Sequence, residues 1–401
     1  MDNQTKTEAT ASEQTDVQAQ PESAPPVRSL RELIDRVTGR GIPPPREVEP
    51  AGLAETLPFP FLAIVGQREM KLALLLALIN PAVGGVLLIG PRGTGKTTAV
   101  RSLVDLLPLV PRSLCYYGCL PEDVEAGGMD AVCPDCAKKY AEGQPLAKMD
   151  RARLVELPLN ATLEDVIGGI DERAASHQRM RLKRGLLNQA DRNLLYVDEV
   201  NLLQDDVVDA LLDAAAQGSY TVRRGPISAT YWSRFTLVGS MNPEEGSLRP
   251  QIMDRFGLRV FVRGLDDPQE RLEAYRRVQA YLMNPRRVVA EYGAETDLAR
   301  VEVQTARSLL PSVQLPDEVA GKGLQLIHRL KIDSLRAEIT LFEAARAYAA
   351  ADARSEVCLD DLTVVAAMAL RLRRSGFIQT YFEHQHPEEQ EIQAALAEIV
   401  G

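Results

Sequence analysis

Long apolar runs are missing from this chain. The longest, "LALLLALI" from Leu72 to Ile79, is far too short to cross a bilayer, so no membrane-spanning helix is expected. The N-terminus has no basic start followed by an apolar core, and so no secretory signal is read there. It carries Asp2, Glu8, Glu13, Asp16 and Glu22, unlike an Arg-rich organelle transit peptide. Cysteine is sparse: five residues in 401 do not make the disulfide framework of a secreted scaffold. Positive charge is not in excess either. A net charge of -10 and a sequence pI near 5.2 argue against a dominant nucleic-acid surface, while allowing a local basic stripe. What is present is an ordinary composition, 25% charged and 45% hydrophobic, with length for two or three domains and an expected place in the cytoplasm.

Residues 1–50 are polar, dotted with proline and poor in aromatics. They cannot bury enough surface to offset ordering entropy, so a disordered tail is predicted, interrupted by a short helix at "SLRELIDRV" (Ser29–Val37). An α/β region is predicted over 51–263. Within it, "GGVLLIG" reads as a buried strand, followed by a glycine loop and the helical "TTAVRSLVDLLP". "NLLYVDEV" and "RFTLVGS" are two further buried strands, each ending in polar residues. Such strands alternating with helices predict a parallel sheet covered on both faces. After about Gly264 the strands stop, and 264–401 reads as a mostly helical domain. Asp267 is placed at an N-cap, with Pro268 at the first helical position and Glu270 at the third. Helical periodicity continues through "EVAGKGLQLIHRLKIDSLRAEITLFEAARAYAAADA", and Asp360 is placed as the cap of "DLTVVAAMALRLRR".

The chemistry concentrates in four stretches. Gly90-Pro91-Arg92-Gly93-Thr94-Gly95-Lys96-Thr97 matches G-x-x-x-x-G-K-[ST] and lies between a predicted strand and helix. Glycines let the backbone wrap the phosphates of ATP, and helix N-terminal amides add partial positive charge. Lys96 would reach the β- and γ-phosphates and Thr97 would ligate Mg²⁺. About 100 residues later, "LLYV" carries Asp198 and Glu199 to a strand end. Asp198 can hold Mg²⁺ through water, and Glu199 can orient or deprotonate the attacking water. Alone, an acidic pair merely ends a strand; a preceding phosphate loop changes that reading. "FTLVGS" ends in Met241-Asn242-Pro243. An isolated Asn-Pro is a turn, but in AAA+ ATPases an asparagine at the tip of the strand between the two Walker strands senses the γ-phosphate. In "LRPQIMDRFG", Arg255 is the candidate finger, Arg249 the second choice, and a surface salt bridge the bland alternative. A finger at Arg255 must act on a neighbouring subunit, so ring assembly follows.

These motifs, together with "FPFLAIVGQREMKLALLLALINPAVGGVLLIGPRGTGKTT", "LVELPLNATLEDVIGGID" and "VGSMNPEEGSLRPQIMDRFG", resemble the ATPase (I) subunits of magnesium chelatase, an AAA+ family. The likeness runs from about residue 57 to 376. It implies a P-loop AAA+ core and a helical lid in which "KIDSLRAEITLFEAARAYAA" supplies a sensor 2 arginine at Arg336. It also implies an adenine pocket lined by Ile64 and Val65. Met241 departs from the pattern, which has glycine before the sensor asparagine. By resemblance, six such subunits form an ATP-dependent ring that works with an integrin-domain subunit (D) and a large porphyrin-binding subunit (H). Together they insert Mg²⁺ into protoporphyrin IX on the way to chlorophyll or bacteriochlorophyll, the metal insertion belonging to the large subunit.

The same Walker residues would serve another metal-chelatase motor or a MoxR-like ATPase that remodels a metalloprotein. A DNA-dependent helicase or transcription activator would need a basic pore or a helix-turn-helix, and a pure scaffold would not need Glu199. Four cysteines, Cys115, Cys119, Cys133 and Cys136, form C-x₃-C and C-x₂-C pairs in an insertion over about 113–147. Four thiolates can close a tetrahedral Zn²⁺ site. Iron–sulfur ligation, redox control and unpaired loop thiols are the alternatives, and a reducing compartment disfavours disulfides. His384 and His386 are read as a solvated tail, Cys358 as a buried thiol in an apolar helix, and "RLRR" (Arg371–Arg374) as a helix end where cations suit the dipole.

Overall fold

The computed structural model describes residues 57–169, 184–224, 227–246 and 248–374. The predicted tail with its Ser29–Val37 helix, and His384 and His386, lie outside them. Among the described residues, five parallel strands form one sheet. They are β4 (Leu154–Leu157), β5 (Leu194–Val197), β8 (Thr236–Met241), β1 (Val86–Ile89) and β9 (Leu258–Phe261), in that spatial order. The predicted covered sheet is what forms. Strand period sends Val86 and Leu88 of β1 into one core with Tyr196 and Val238. Leu87 and Ile89 enter the other core with Leu195, Val197 and Leu237.

Helix α1 (Arg68–Ile79) packs on the first face, whereas α2 (Lys96–Ser102) starts at the glycine loop. The stretch predicted as one helix after the loop tightens at Leu103–Leu106 into a 3₁₀ turn. Two antiparallel pairs stand apart from the sheet. One is β2 (Leu109–Ser113) with β3 (Ala147–Arg151), and the other is β6 (Ser219–Arg224) with β7 (Ile227–Trp232). The first pair closes the base of the cysteine segment, which contains α3 (Pro121–Gly127) and α4 (Pro134–Ala141). Next come α5 (Leu163–Ile167), α6 (Leu186–Gln189), α7 (Asp205–Gln217) and α8 (Pro250–Arg255).

From Leu265 onward the described chain is helical, apart from an isolated bridge between Gln314 and Glu356. Helix α9 (Pro268–Met283) opens as predicted: the Asp267 carboxylate accepts from the Gln269 amide at 2.9 Å and Pro268 takes the first position. α10 (Pro285–Glu291), α11 (Gly293–Leu309), α12 (Asp317–Arg329), α13 (Arg336–Ala351) and α14 (Leu359–Leu370) complete it. The long predicted helix breaks between α12 and α13, where Lys331 adopts a left-handed φ of 53°. Ala344, Ala345, Ala347 and Ala349 of α13 are fully buried in the same core as α1.

Three expectations for the last helix need correction. Cys358, not Asp360, holds the N-cap position of α14, with its amide bonded to Asp361 at 2.8 Å. Asp361 is also the better anchor because it pairs with Arg354. Cys358 itself is exposed rather than buried. The basic cluster does more than cap: Arg371 ends α14, but the Arg373 guanidinium is fully buried and donates to Asp254, Thr340 and the carbonyls of Phe256 and Gly257.

Asp254 is the hub of that contact. It accepts from Arg373 at 2.7 Å, from Ser334 at 2.9 Å, and from Arg259 and Arg336 at 3.4 Å each. Burial disfavours its charge, but Ser334 and the three guanidiniums outweigh this and hold its pKa below the ordinary carboxylate value. Because the folded pKa is depressed, this stabilisation is present above the unfolded pKa of about 3.9 and is lost as pH falls through the folded value. Asp254→Ala, which leaves Arg259 and Arg373 buried without their carboxylate, is expected to destabilise the fold by about 3–5 kcal/mol in urea unfolding at neutral pH.

Candidate functional site

The glycine loop leaves β1 at Gly90, where an added Cβ would sit 2.0 Å from the Val262 carbonyl oxygen, so no side chain fits. It enters α2 through Gly95 at φ 85°, a left-handed conformation suited to glycine. The loop's amides therefore face a cavity of about 220 Å³ lined by Arg92 through Thr98, Asp198, Glu199 and Ser240 through Asn242. Lys96 is buried, and its ammonium donates to the carbonyls of Gly90 at 2.7 Å and Pro91 at 2.8 Å. Burial lowers its pKa, with Asp198, Glu199 and Glu245 pulling the other way.

Asp198 lies just beyond β5, two residues after Tyr196, so both side chains project to the same side. The Tyr196 hydroxyl donates to one Asp198 oxygen at 2.8 Å, and the Thr97 hydroxyl donates to the other at 3.1 Å. Ser240, on β8, donates to the same carboxylate in a very short bond. Burial raises the Asp198 pKa, but these three donors and the Glu199 amide outweigh it, and the carboxylate is held below its usual range. Tyr196 stays protonated because burial pushes its phenol up.

Glu199 sits at φ 49°, an uncommon conformation for a non-glycine residue, and its amide is tied to Ser240 Oγ at 3.1 Å. Its carboxylate meets Arg92, which bridges Glu199 at 3.5 Å and Glu245 at 2.5 Å. Asn242 is buried at the tip of β8. It donates to Glu245 at 3.0 Å and accepts from the Glu244 amide.

Beside the loop a second cavity of about 400 Å³ is walled by Phe59, Ile64, Val65, Leu265, Ala274 and Val278, and by Gly93 through Gly95. The expected Ile64 and Val65 line it; α9 supplies a wall that the sequence reading did not foresee.

Arg249, Arg255 and Arg336 are not among the lining residues of either cavity. Arg249 and Arg255 pair with Asp205 at 2.5 Å and Asp213 at 2.6 Å on α7, whereas Arg336 reaches Asp254, the residue before Arg255. Sequence reasoning also missed Ser240 and Tyr196. The signal was there for Tyr196, in its two-residue spacing from Asp198 on a strand.

The four expected cysteines meet. Their sulfurs all lie within 4.8 Å of one another, with Cys119 and Cys136 buried. The amides of Tyr117 and Cys119 donate to Cys115 Sγ at 3.2 and 3.3 Å, and that of Cys133 donates to Cys119 Sγ at 3.4 Å. Hydrogen bonding from Cys119, then these amides and Ser113, draws the Cys115 thiol well below its usual pKa against the opposing effect of burial.

A phosphate loop, an acidic pair and a polar strand tip at one edge of a parallel sheet define a P-loop ATPase of the AAA class. The comparisons agree: residues 83–224 match the AAA domain and residues 325–395 the AAA lid domain. A crystal structure of a candidate ATPase from Cytophaga hutchinsonii, 20% identical, matches with a TM-score of 0.50 over 78% of this chain and 84% of its own, which shows the shared fold. The magnesium-chelatase subunit ChlI homolog of Methanocaldococcus jannaschii is 42% identical over 80% of this chain and 87% of its own. The magnesium-chelatase 38 kDa subunit of Acidiphilium rubrum is 43% identical over 79% and 90%. The chain belongs to the family of magnesium-chelatase ATPase subunits. No described helix is long and apolar enough to cross a membrane.

Ser240 serves two partners, the Asp198 carboxylate and the Glu199 amide. Ser240→Ala is expected to lower unfolding stability by about 1–3 kcal/mol, measured without nucleotide, because both partners lose a buried contact.

Proposed function

We propose that this chain is the ATP-hydrolysing motor of a magnesium chelatase, driving Mg²⁺ insertion into protoporphyrin IX toward chlorophyll or bacteriochlorophyll. The observation that carries the reading is the convergence of Lys96, Thr97, Asp198, Glu199 and Asn242 on one cavity, in a chain over 40% identical to named chelatase subunits. In this reading the amides of Gly93 to Lys96 and the Lys96 ammonium bind the phosphates, while Pro91 and Arg92 shape the loop around them. Thr97 and Asp198 hold the Mg²⁺ of MgATP, and the low pKa of Asp198 suits that task. Glu199 accepts a proton from the water that attacks the γ-phosphorus, and Asn242 orients that water. Ile64 and Val65 hold the adenine. The helical part beyond Gly264 acts as the lid.

The remaining arginines fit a ring. Arg255, held by Asp213, and Arg336, held by Asp254, both lie outside the chain's own cavity, as groups that act on a neighbour's nucleotide would. Helix α9 has no buried residue and exposes Leu272, Tyr275, Leu282 and Met283, an apolar stripe suited to a subunit contact. The word "subunit" in the relatives' names supports further partners, which we take to be the integrin-domain and porphyrin-binding subunits. Combined with those two, ATP, Mg²⁺ and protoporphyrin, the chain is expected to produce Mg-porphyrin fluorescence. Lys96→Ala and Arg255→Ala should each cut turnover about a thousandfold, and mixing the two variants should restore part of it. Absence of fluorescence would sink the chelatase reading, and no recovery on mixing would sink action across subunits.

The cysteine cluster fits a structural Zn²⁺ held by Cys115, Cys119, Cys133 and Cys136. A tetrahedron with Zn–S of about 2.3 Å needs sulfurs about 3.8 Å apart, within the 4.8 Å limit inside which all four thiols lie. The N–H···S bonds suit thiolates, and the metal would supply rigidity rather than catalysis. Purified protein is expected to carry one zinc per chain and to lose it in Cys133→Ser and Cys136→Ser. Undiminished metal in both variants would exclude the site.

A further inference from the structure

A cavity of about 380 Å³ lies at the opposite edge of the sheet from the phosphate loop. It is reached where β5 and β8 begin, at Asn193, Leu194 and Thr236. Its walls are mixed. Leu78, Leu107, Val110 and Phe235 are apolar, and three arginines, Arg192, Arg234 and Arg307, line it without a single Asp or Glu. Arg234 is neutralised from behind by Asp123 at 2.7 Å and Asp191 at 3.2 Å. The other two are not equally served. Arg192 gives one nitrogen to Glu122 at 2.7 Å, while its Nε is buried with no hydrogen-bond partner in the structure. Its backbone stands at a left-handed φ of 62°, held by a 2.6 Å bond from its amide to the Arg234 carbonyl. Arg307, on α11, donates to the Leu78 carbonyl and has no carboxylate partner among the described residues. Burial and the nearby Arg192 both work against its charge.

Arg192 keeps the Glu122 carboxylate but has a buried Nε without a partner, and Arg307 has no carboxylate among the described residues, so an anion set between the two would satisfy the Nε and offset the uncompensated charge. The apolar wall beside them is of the kind that holds an organic body, and the volume is that of a small-molecule pocket. We propose that this cavity binds a small organic anion, with a phosphate or carboxylate group between Arg192 and Arg307 and an apolar body against Leu78, Leu107 and Phe235. Arg192 belongs to the loop before β5 and Arg307 to the helical part, so the ligand bridges the two. The site is independent of the chelatase reading, and neither arginine touches the nucleotide cavity.

The test is calorimetric titration of the full chain with saturating MgADP, which occupies the phosphate loop, using phenyl phosphate, benzoate and neutral benzyl alcohol as probes. One equivalent of phenyl phosphate or benzoate is expected to bind and benzyl alcohol is not, and which anion binds more tightly identifies the preferred head group. Arg192→Gln should weaken the anion about tenfold or more, the loss of one charge-assisted partner, with MgADP affinity and melting unchanged. In the unaltered protein the anion should slow phenylglyoxal labelling of Arg307, read by peptide mass spectrometry, a measurement that needs no variant. Absence of saturable anion binding at millimolar concentrations, equal affinity for benzyl alcohol, or unprotected Arg307 would overturn the proposal.

Discussion

Parallel strands deliver all their C-terminal ends to one edge, and here the register sets which residues meet there. Ile89 of β1 pairs with Met241 of β8, and Val197 of β5 pairs with Gly239. Gly90 is therefore level with Asn242, and Asp198 with Ser240, although up to about 150 residues separate them in the chain. The contacts of Asp198 with Thr97 and Ser240 depend on that alignment. A slip of one residue would turn Asp198 away from Thr97 and exchange the two cores on either face of the sheet. The register of β1 against β8 is thus a constraint on the site as well as on packing.

The second organising contact is the Asp254 hub. It joins helix α8, which carries Arg255, to strand β9 through Arg259 and to the helical part through Ser334, Arg336 and Arg373. One carboxylate therefore couples the position of a candidate finger to the position of the helices beyond it. A movement of either side meets the same set of charges.

What could be read in the sequence divides along contact distance. The glycine loop and the acidic pair were legible because their chemistry needs residues adjacent in the chain, and the Asp267-Pro268 cap for the same reason. Ser240 was not legible, because its value comes from Asp198, 42 residues away and on the neighbouring strand. The Asp254–Arg336 and Asp254–Arg373 contacts span 82 and 119 residues and leave no local mark. The break at Lys331 was missed because apolar periodicity continues through it while the backbone reverses. Asp360 was chosen over Cys358 as the cap because side-chain preference favours aspartate, whereas the carboxylate that mattered was Asp361, already committed to Arg354.

The antiparallel stem formed by Leu109–Ser113 and Ala147–Arg151 gives the cysteine segment an architecture of its own. A loop closed at its base by backbone hydrogen bonds transmits little of its internal length to the strands that flank it. Such a segment can vary in length between its stem and its tip while the phosphate loop and the acidic pair keep their spacing, provided that Glu122 and Asp123 keep their pairs with Arg192 and Arg234. In evolutionary terms it is an exchangeable ornament on a fixed engine, free to be tailored to whatever surface it meets.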